Sequence, residues 1–306
     1  PGAARDRVRI LVTGGAGFIG RHLVAELRRM GHSVVALDLR EGSDADEHVV
    51  GDVRDAELVR RVARVDAIFH LAAVTTPPEF EDPLSPGYEV NVMGTYNVLA
   101  AAAANGVTRV VLASSSSVYG DAPGEVGCGR GYANLYPATK LVNEVTARTF
   151  LSYGVEAVIL RYFNVYGPGE ETKGPASSVV WKFTVDALAG RSPVIYGDGS
   201  QSRDFIYVKD AVRATILAME RGRPGEAYDV GTGVSMPFNE VFRIVREETG
   251  FGGEALHVPN PLRSYQRFTR ADPSRAREDL GFEPRYDLGA GVRELVRALR
   301  AGGPRA

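Results

Sequence analysis

Residues 8–20 read Val-Arg-Ile-Leu-Val-Thr-Gly-Gly-Ala-Gly-Phe-Ile-Gly. An apolar run stops at a glycine turn, and helical spacing begins at once, with Ile19, Leu23, Val24, Leu27 and Met30 on one face. The arrangement builds an anion cradle. Gly14 and Gly15 allow the turn, Gly17 admits a pyrophosphate to the backbone, and Gly20 lets the helix pack close to its strand. Phe18 and Ile19 open a helix whose free N–H groups and positive dipole end face the phosphates. A second strand is predicted at Ser33–Leu37 and ends in Asp38. That lies near the offset, about 20 residues past the glycines, at which a carboxylate meets the adenosine ribose. Such a carboxylate accepts from a 2′-hydroxyl and repels a 2′-phosphate, so NAD is expected rather than NADP. Arg40 is the nearby group that works against this preference.

The alternation of strand and helix continues. Apolar strands are predicted at Asp66–Leu71, Val107–Ala113 and Glu156–Leu160, with helices at about Tyr88–Asn105 and Pro137–Tyr153. This is an α/β fold with a doubly wound parallel sheet. Beyond Gly167 the pattern is broken by Pro168, Gly169, Gly174 and Pro175. Shorter elements follow: helices near Ser177–Ala189, Val208–Glu220, Phe238–Thr249 and Gly289–Leu299, and a strand near Pro193–Tyr196. Residues 1–167 are expected to form the dinucleotide-binding domain, and 168–306 a smaller, mixed α/β substrate lobe with segments that cross back to the sheet.

Composition removes several function classes. A net charge of −2 with no basic tract argues against nucleic acid as a partner. No apolar run reaches the ~18 residues of a spanning helix, so no membrane partner is expected. Residues Pro1 to Arg7 carry no apolar signal core. Cys128, the single cysteine, cannot close an internal disulfide, which suits a reducing cytoplasm. No metal site is expected.

Chemistry is concentrated at Tyr136-Pro137-Ala138-Thr139-Lys140. Residues four apart share a helix face, and proline is tolerated in a first helical turn. An ammonium group and a positive nicotinamide ring beside a phenol favour the phenolate, which makes tyrosine a usable general base. The strand before it ends in Ser114-Ser115-Ser116-Ser117-Val118-Tyr119-Gly120. A hydroxyl there is placed to bond a substrate oxygen while Tyr136 moves its proton.

Taken together, Thr13 to Gly20, His70-Leu71-Ala72-Ala73, Asn91-Val92-Met93-Gly94-Thr95, Ser115 with Val118-Tyr119-Gly120, and Tyr136 with Lys140 resemble the extended short-chain dehydrogenase/reductase family. The segments Arg161 to Gly169 and Arg203 to Asp210 are similar to those of nucleotide-sugar epimerases and dehydratases. The resemblance runs from residue 7 to about residue 300. It implies Tyr136 as catalytic base, Lys140 on the nicotinamide ribose, and Ser115 bridging to the reacting hydroxyl. It places Asp52 and Val53 on adenine, with Leu71, Ala72, Ala73 and Asn91 also at the cofactor. It places Ser116, Asn164, Arg203 and Arg267 at a nucleotide diphosphate sugar, where guanidinium forks suit paired oxygens. It further implies a homodimer through the helices near 88–105 and 137–153.

The resemblance has branches. Related dehydratases carry an acidic pair after the strand-end hydroxyl, whereas Ser116 and Ser117 stand here, which argues against water loss. Residues 121–135 form a short loop rich in glycine, holding Cys128 and Arg130, where relatives carry a longer one. The segments Gly169 to Gly174 and Tyr265 to Asp272 resemble ADP-heptose 6-epimerases and some UDP-hexose 4-epimerases, and the former use a lysine at the place of Lys173 as a second acid/base. The expected activity is an NAD-dependent nucleotide-sugar epimerase, foremost a UDP-sugar 4-epimerase. The rivals are an ADP-heptose-type 6-epimerase, a decarboxylase, dehydratase or dehydrogenase sharing the first oxidation, and a noncatalytic dinucleotide sensor.

Overall fold

A computed structural model describes residues 7–75, 80, 86–120, 126, 134–261 and 266–302. Cys128, Arg130 and nearly all of the 121–135 loop lie outside the described residues, as does Tyr265. Strand β1 (Arg9–Thr13) leads through the glycine turn into α1 (Phe18–Arg29), and β2 (Ser33–Asp38) follows. β3 (Glu47–Val50) and α2 (Ala56–Val62) precede β4 (Ala67–His70). Then come α3 (Gly87–Asn105), β5 (Arg109–Ser115), α4 (Tyr136–Thr149) and β6 (Glu156–Tyr162). The later elements are β7 (Asn164–Tyr166), α5 (Val179–Leu188), β8 (Val194–Tyr196), β9 (Ser202–Tyr207), α6 (Val208–Arg221) and β10 (Ala227–Val230). β11 (Ser235–Pro237), α7 (Phe238–Thr249), β12 (Leu256–Val258) and α8 (Leu288–Gly302) complete the order.

The described residues form two compact units. The first lies within Pro1–Ser115, Leu135–Arg161 and Thr215–Tyr228; the second lies within Ser116–Asn134, Tyr162–Ala214 and Asp229–Ala306. The main sheet is parallel and seven-stranded, in the order β10-β6-β5-β4-β1-β2-β3. Chain order reverses at β1, which pairs with β4 on one side and β2 on the other. Ligands of such sheets bind outside the carboxyl ends of the strands at that reversal. Both faces are covered, so the strands read as unbroken apolar runs: Ile10, Leu11 and Val12 are fully buried, as are Val34, Ala36 and Leu37. Beneath one face, Val98, Leu99 and Ala102 of α3 join Val59, Ile68, Val110 and Ile159 in one cluster.

Helix ends follow their sequence signals. Arg28 and Arg29 close α1, where cations suit the negative dipole end. α3 stops at Gly106 in the left-handed region, φ 72°. α4 takes Pro137 in its first turn. Two differences from the sequence reading matter. β5 runs to Ser115 rather than to Ala113, so two of the four serines are strand residues and Ser116–Tyr119 coil into a 3-10 turn. β9 was hidden because buried Arg203 and Asp204 interrupt its apolar run.

In the second unit β9 is the middle strand of the three-stranded sheet β11-β9-β7, and β12 pairs with β8. Phe183, Phe205, Phe238 and Phe242 pack edge to face or tilted in its core. Among the described residues no helix is long and apolar enough to cross a membrane.

Candidate active site

The first unit carries the glycine turn. Gly14 has φ +72°, and a Cβ there would lie 2.7 Å from the Ala72 amide nitrogen. A Cβ on Gly20 would collide with the Gly14 carbonyl oxygen. Both positions are closed to side chains, Gly14 by the tight turn against the 71–72 backbone and Gly20 by the close packing of α1 on the turn. Gly17 is the N-cap of α1; no side chain caps that end, and its first turn holds no acid. Phe18 and Ile19 open the helix there. This N-terminus therefore fits the diphosphate of a dinucleotide.

Asp38 closes the same turn. Its Oδ2 accepts from the Ala16 amide at 3.0 Å and its Oδ1 from the Arg40 amide at 3.3 Å. A carboxylate offers about four acceptor sites, so capacity is left for a ribose hydroxyl. Asp52 is engaged with its neighbour Arg54, whose amide, Nε and Nη2 all donate to it. The Arg54 hydrogen bonds hold its carboxyl below the ordinary range. Val53 is buried, and its carbonyl accepts from Asn97 Nδ2 at 3.0 Å. Leu71 and Ala72 bond back to Thr13, Leu71 N to the carbonyl and Ala72 N to Oγ1, which brings the segment that includes Ala73 beside the turn. Asn91 is fully buried. Its Nδ2 donates to Val74 O at 3.0 Å and to Thr139 Oγ1 at 3.1 Å, while its Oδ1 accepts from Val74 N at 2.8 Å. Both amide donors are thus used within the protein.

Ser115, Tyr136 and Lys140 come together at the end of β5 and the start of α4. The Ser115 side chain hydrogen-bonds Tyr136, which favours the phenolate. Burial works the other way and prevails, pushing the phenol up to about 12. The ring stacks obliquely on Phe80, centroids 5.5 Å apart. Lys140 Nζ sits 5.7 Å from the Tyr136 ring centroid and donates to the Ala113 carbonyl at 3.0 Å. Burial pulls its ammonium down to about 8, and Glu144 one turn later opposes that. Lys140 is therefore still mostly cationic at neutral pH. The protein's own groups leave Tyr136 a neutral phenol there, and the sequence expectation of activation counted on the positive nicotinamide ring as well as the ammonium.

Glu144 is a residue that motif reading passed over. It is buried, and Arg161 Nε and Nη2 donate to its two oxygens at 2.9 and 2.7 Å. Ser114, next to Ser115, donates to it at 2.7 Å. Spacing carried the signal: Glu144 lies one turn beyond Lys140 on the same face.

The second unit carries the residues expected at the substrate. Ser116 is buried at the start of the 3-10 turn. Asn164 donates both amide hydrogens, to Asp204 O at 2.9 Å and Thr269 Oγ1 at 3.2 Å, leaving Oδ1 as an acceptor. Arg203 is buried, donates to Ser202 O and lies 5.9 Å from the Phe238 ring centroid. Arg267 is exposed, and its carbonyl accepts from Ser202 N. Lys173 donates to Glu170 Oε1 at 2.9 Å. Glu170 is fully buried and also accepts from the amide and hydroxyl of Ser178, the N-cap of α5. Asp204, which the sequence reading did not single out, accepts from Thr232 N, Thr232 Oγ1, Gly233 N and Ala271 N.

The geometry is that of a dinucleotide cradle with a Ser/Tyr/Lys constellation in one unit, and comparison with known proteins agrees. Residues 10–231 match the NAD dependent epimerase/dehydratase family. The chain is 35% identical to a putative UDP-glucose 4-epimerase of Methanocaldococcus jannaschii, over 95% of this chain and 98% of that protein. It is 36% identical to a UDP-glucose 4-epimerase of Mycolicibacterium smegmatis, over 96% of this chain and 99% of the relative. The solved structure of a UDP-glucose 4-epimerase from Thermotoga maritima with UDP-glucose has a TM-score of 0.89 at 32% identity, covering 96% of this chain and 99% of that one. With matches of this extent, the chain belongs to the NAD dependent epimerase/dehydratase family.

Proposed function

We propose that the protein is an NAD-dependent nucleotide-sugar epimerase, foremost a UDP-sugar 4-epimerase. The observation that carries this is the Ser115–Tyr136 hydrogen bond beside buried Lys140, in the same unit as the glycine cradle. UDP-glucose 4-epimerases among its relatives support the sugar nucleotide. NAD, when bound, supplies reversible hydride acceptance at a sugar carbon. Tyr136 oxygen takes the proton of the substrate hydroxyl and later returns it, so the reaction has no net redox change. Ser115 bridges to that hydroxyl and keeps it aligned. Lys140 holds the nicotinamide ribose and keeps a positive charge beside the phenol. Asp38 receives the adenosine ribose hydroxyl, and Asp52, Val53, Leu71, Ala72 and Ala73 line the nucleoside. Asn91 reaches the cofactor only indirectly, through Val74 and Thr139.

We assign the nucleotide diphosphate sugar to the second unit, through Ser116, Asn164 Oδ1, Arg203 and Arg267. The Lys173–Glu170 pair gives Lys173 the task of neutralising a buried carboxylate. That favours the 4-epimerase reading over the ADP-heptose type, in which this lysine is an acid/base. A reducing cytoplasm suits a chain with one cysteine. The test is chromatography with mass spectrometry of the protein with UDP-glucose, UDP-N-acetylglucosamine and UDP-glucuronate in D2O. A new peak of unchanged mass, free of solvent deuterium, is expected. Loss of water or CO2, or accumulation of NADH, would replace this reading with a dehydratase, decarboxylase or dehydrogenase.

We also infer a homodimer through α3 and α4. Met93 and Tyr96 on α3 and Val142 and Val145 on α4 repeat at three-residue spacing, and Val145 is 63% exposed. Exposed apolar side chains at this spacing on both helices support an interface there. Light scattering should give a dimer at micromolar concentration and a monomer for Val145→Glu.

A further inference from the structure

A single directed hydrogen-bond chain runs through the buried floor of the first unit. Thr95 Oγ1 donates to the Asn91 carbonyl at 2.6 Å, so its oxygen must accept from His70 Nε2, 3.0 Å away. His70 therefore carries its proton on Nε2, and its Nδ1 accepts from Thr13 Oγ1 at 2.7 Å. Thr13 Oγ1 in turn accepts from the Ala72 amide at 3.3 Å. Burial, followed by the nearby Lys140 charge, lowers His70 to about 3, so the ring stays neutral and the chain keeps one direction at working pH. At Asn91 a second run begins. The side-chain amide donates to Thr139 Oγ1, and Thr139 donates to the Tyr136 carbonyl at 2.7 Å. Thr139 is fully buried and stands between Tyr136 and Lys140 on the first turn of α4.

We propose that Thr139 is a positioning residue for Tyr136. Its hydroxyl is the link by which Asn91 and the His70 chain hold the first turn of α4 in register with Thr13 and the glycine turn. The inference rests on the reading of Tyr136 as the base. The physical case is one of valence. Thr139 Oγ1 has one hydrogen, spent on the Tyr136 carbonyl, and accepts one from Asn91. Thr139→Val keeps the shape of the side chain and removes both bonds, leaving one Asn91 donor buried without its acceptor. The turn that carries the phenol then loses its fixed point, whereas the substrate residues of the second unit are untouched.

The experiment compares steady-state kinetics of the holoenzyme for wild type, Thr139→Val, Thr139→Ser and Tyr136→Phe with UDP-glucose. Thr139→Val is expected to lower kcat about tenfold, the scale of a small misplacement of a reacting group, with KM changed less than about twofold. Thr139→Ser, which keeps the hydroxyl, is expected to recover most of kcat. Unchanged kcat in Thr139→Val, or an equal loss in Thr139→Ser, overturns the proposal. Should Thr139→Val not fold, Thr139→Ala, which sets no methyl against the Tyr136 carbonyl, is read by the same split. Tyr136→Phe separates the two levels. If it keeps kcat, the base reading fails; if it loses kcat while Thr139→Val does not, only the positioning role fails.

Discussion

Tyr136→Phe lowers kcat by about 10²–10⁴-fold, the usual contribution of a positioned general base, while NAD binding and thermal stability stay close to wild type. The reasoning separates the ring from its oxygen. The ring contact with Phe80 and the place of residue 136 at the start of α4 survive the substitution. The substitution removes the side-chain hydrogen bond to Ser115. The oxygen, by contrast, is the atom that takes and returns the substrate proton in the proposed mechanism. A variant that keeps kcat within a few-fold of wild type would remove Tyr136 from the mechanism. A variant that loses stability along with kcat would mean that the phenol oxygen is structural as well.

Glu144→Ala is expected to destabilise the protein by about 3–5 kcal/mol, the cost of breaking a buried ion pair by removing one partner. Arg161 loses the carboxylate that receives its Nε and Nη2, and Ser114 loses its acceptor. For a chain of this size the melting temperature should fall by roughly 10 °C. The pH dependence has a definite sign. Burial pushes the Glu144 carboxyl up, but the Arg161 hydrogen bonds and charge, with Ser114 and Arg148, outweigh it and leave it below its ordinary value of 4.5. A depressed folded-state value gives stability that is fully present above 4.5 and is lost as pH falls through the folded value. The gap in melting temperature between wild type and Glu144→Ala should therefore be full at pH 7 and narrow in acid. A gap independent of pH would mean that packing, not the ion pair, is what Glu144 contributes.

The part of the site written in local sequence was the easiest to read. The glycine turn, Asp38 and the Tyr136/Lys140 spacing are local: each depends on residues a few positions apart, or on one strand–turn–helix unit. The parallel sheet was legible for the same reason, since buried strands flanked by helices read as apolar runs. Elements without that signature were not. β3 is a half-exposed edge strand with no apolar alternation, and β9 carries charge in its core because Asp204 is satisfied by amides about 28 and 67 residues away in sequence. Glu144, His70 and Thr139 share that property. Their partners lie in other elements, and only the folded chain shows a buried carboxylate between two arginines, or a histidine with both nitrogens engaged. Spacing carries no information on burial, which raises the Tyr136 phenol in the absence of the nicotinamide charge that the sequence reading also counted on.

The hydrogen bond from the Ala16 amide to Asp38 Oδ2 has a consequence for redesign and for divergence within such chains. On the proposed reading nicotinamide cofactors are discriminated at Asp38, and the same carboxylate fastens the middle of the glycine turn. Exchanging it for a small neutral residue to admit a 2′-phosphate would also untie the loop that must wrap the pyrophosphate. Preference and affinity are thus wired to one oxygen pair. A lineage changing its redox carrier would have to install a substitute acceptor for that amide first, then recruit Arg40, because Gly14 and Gly20 leave no room for compensation inside the turn.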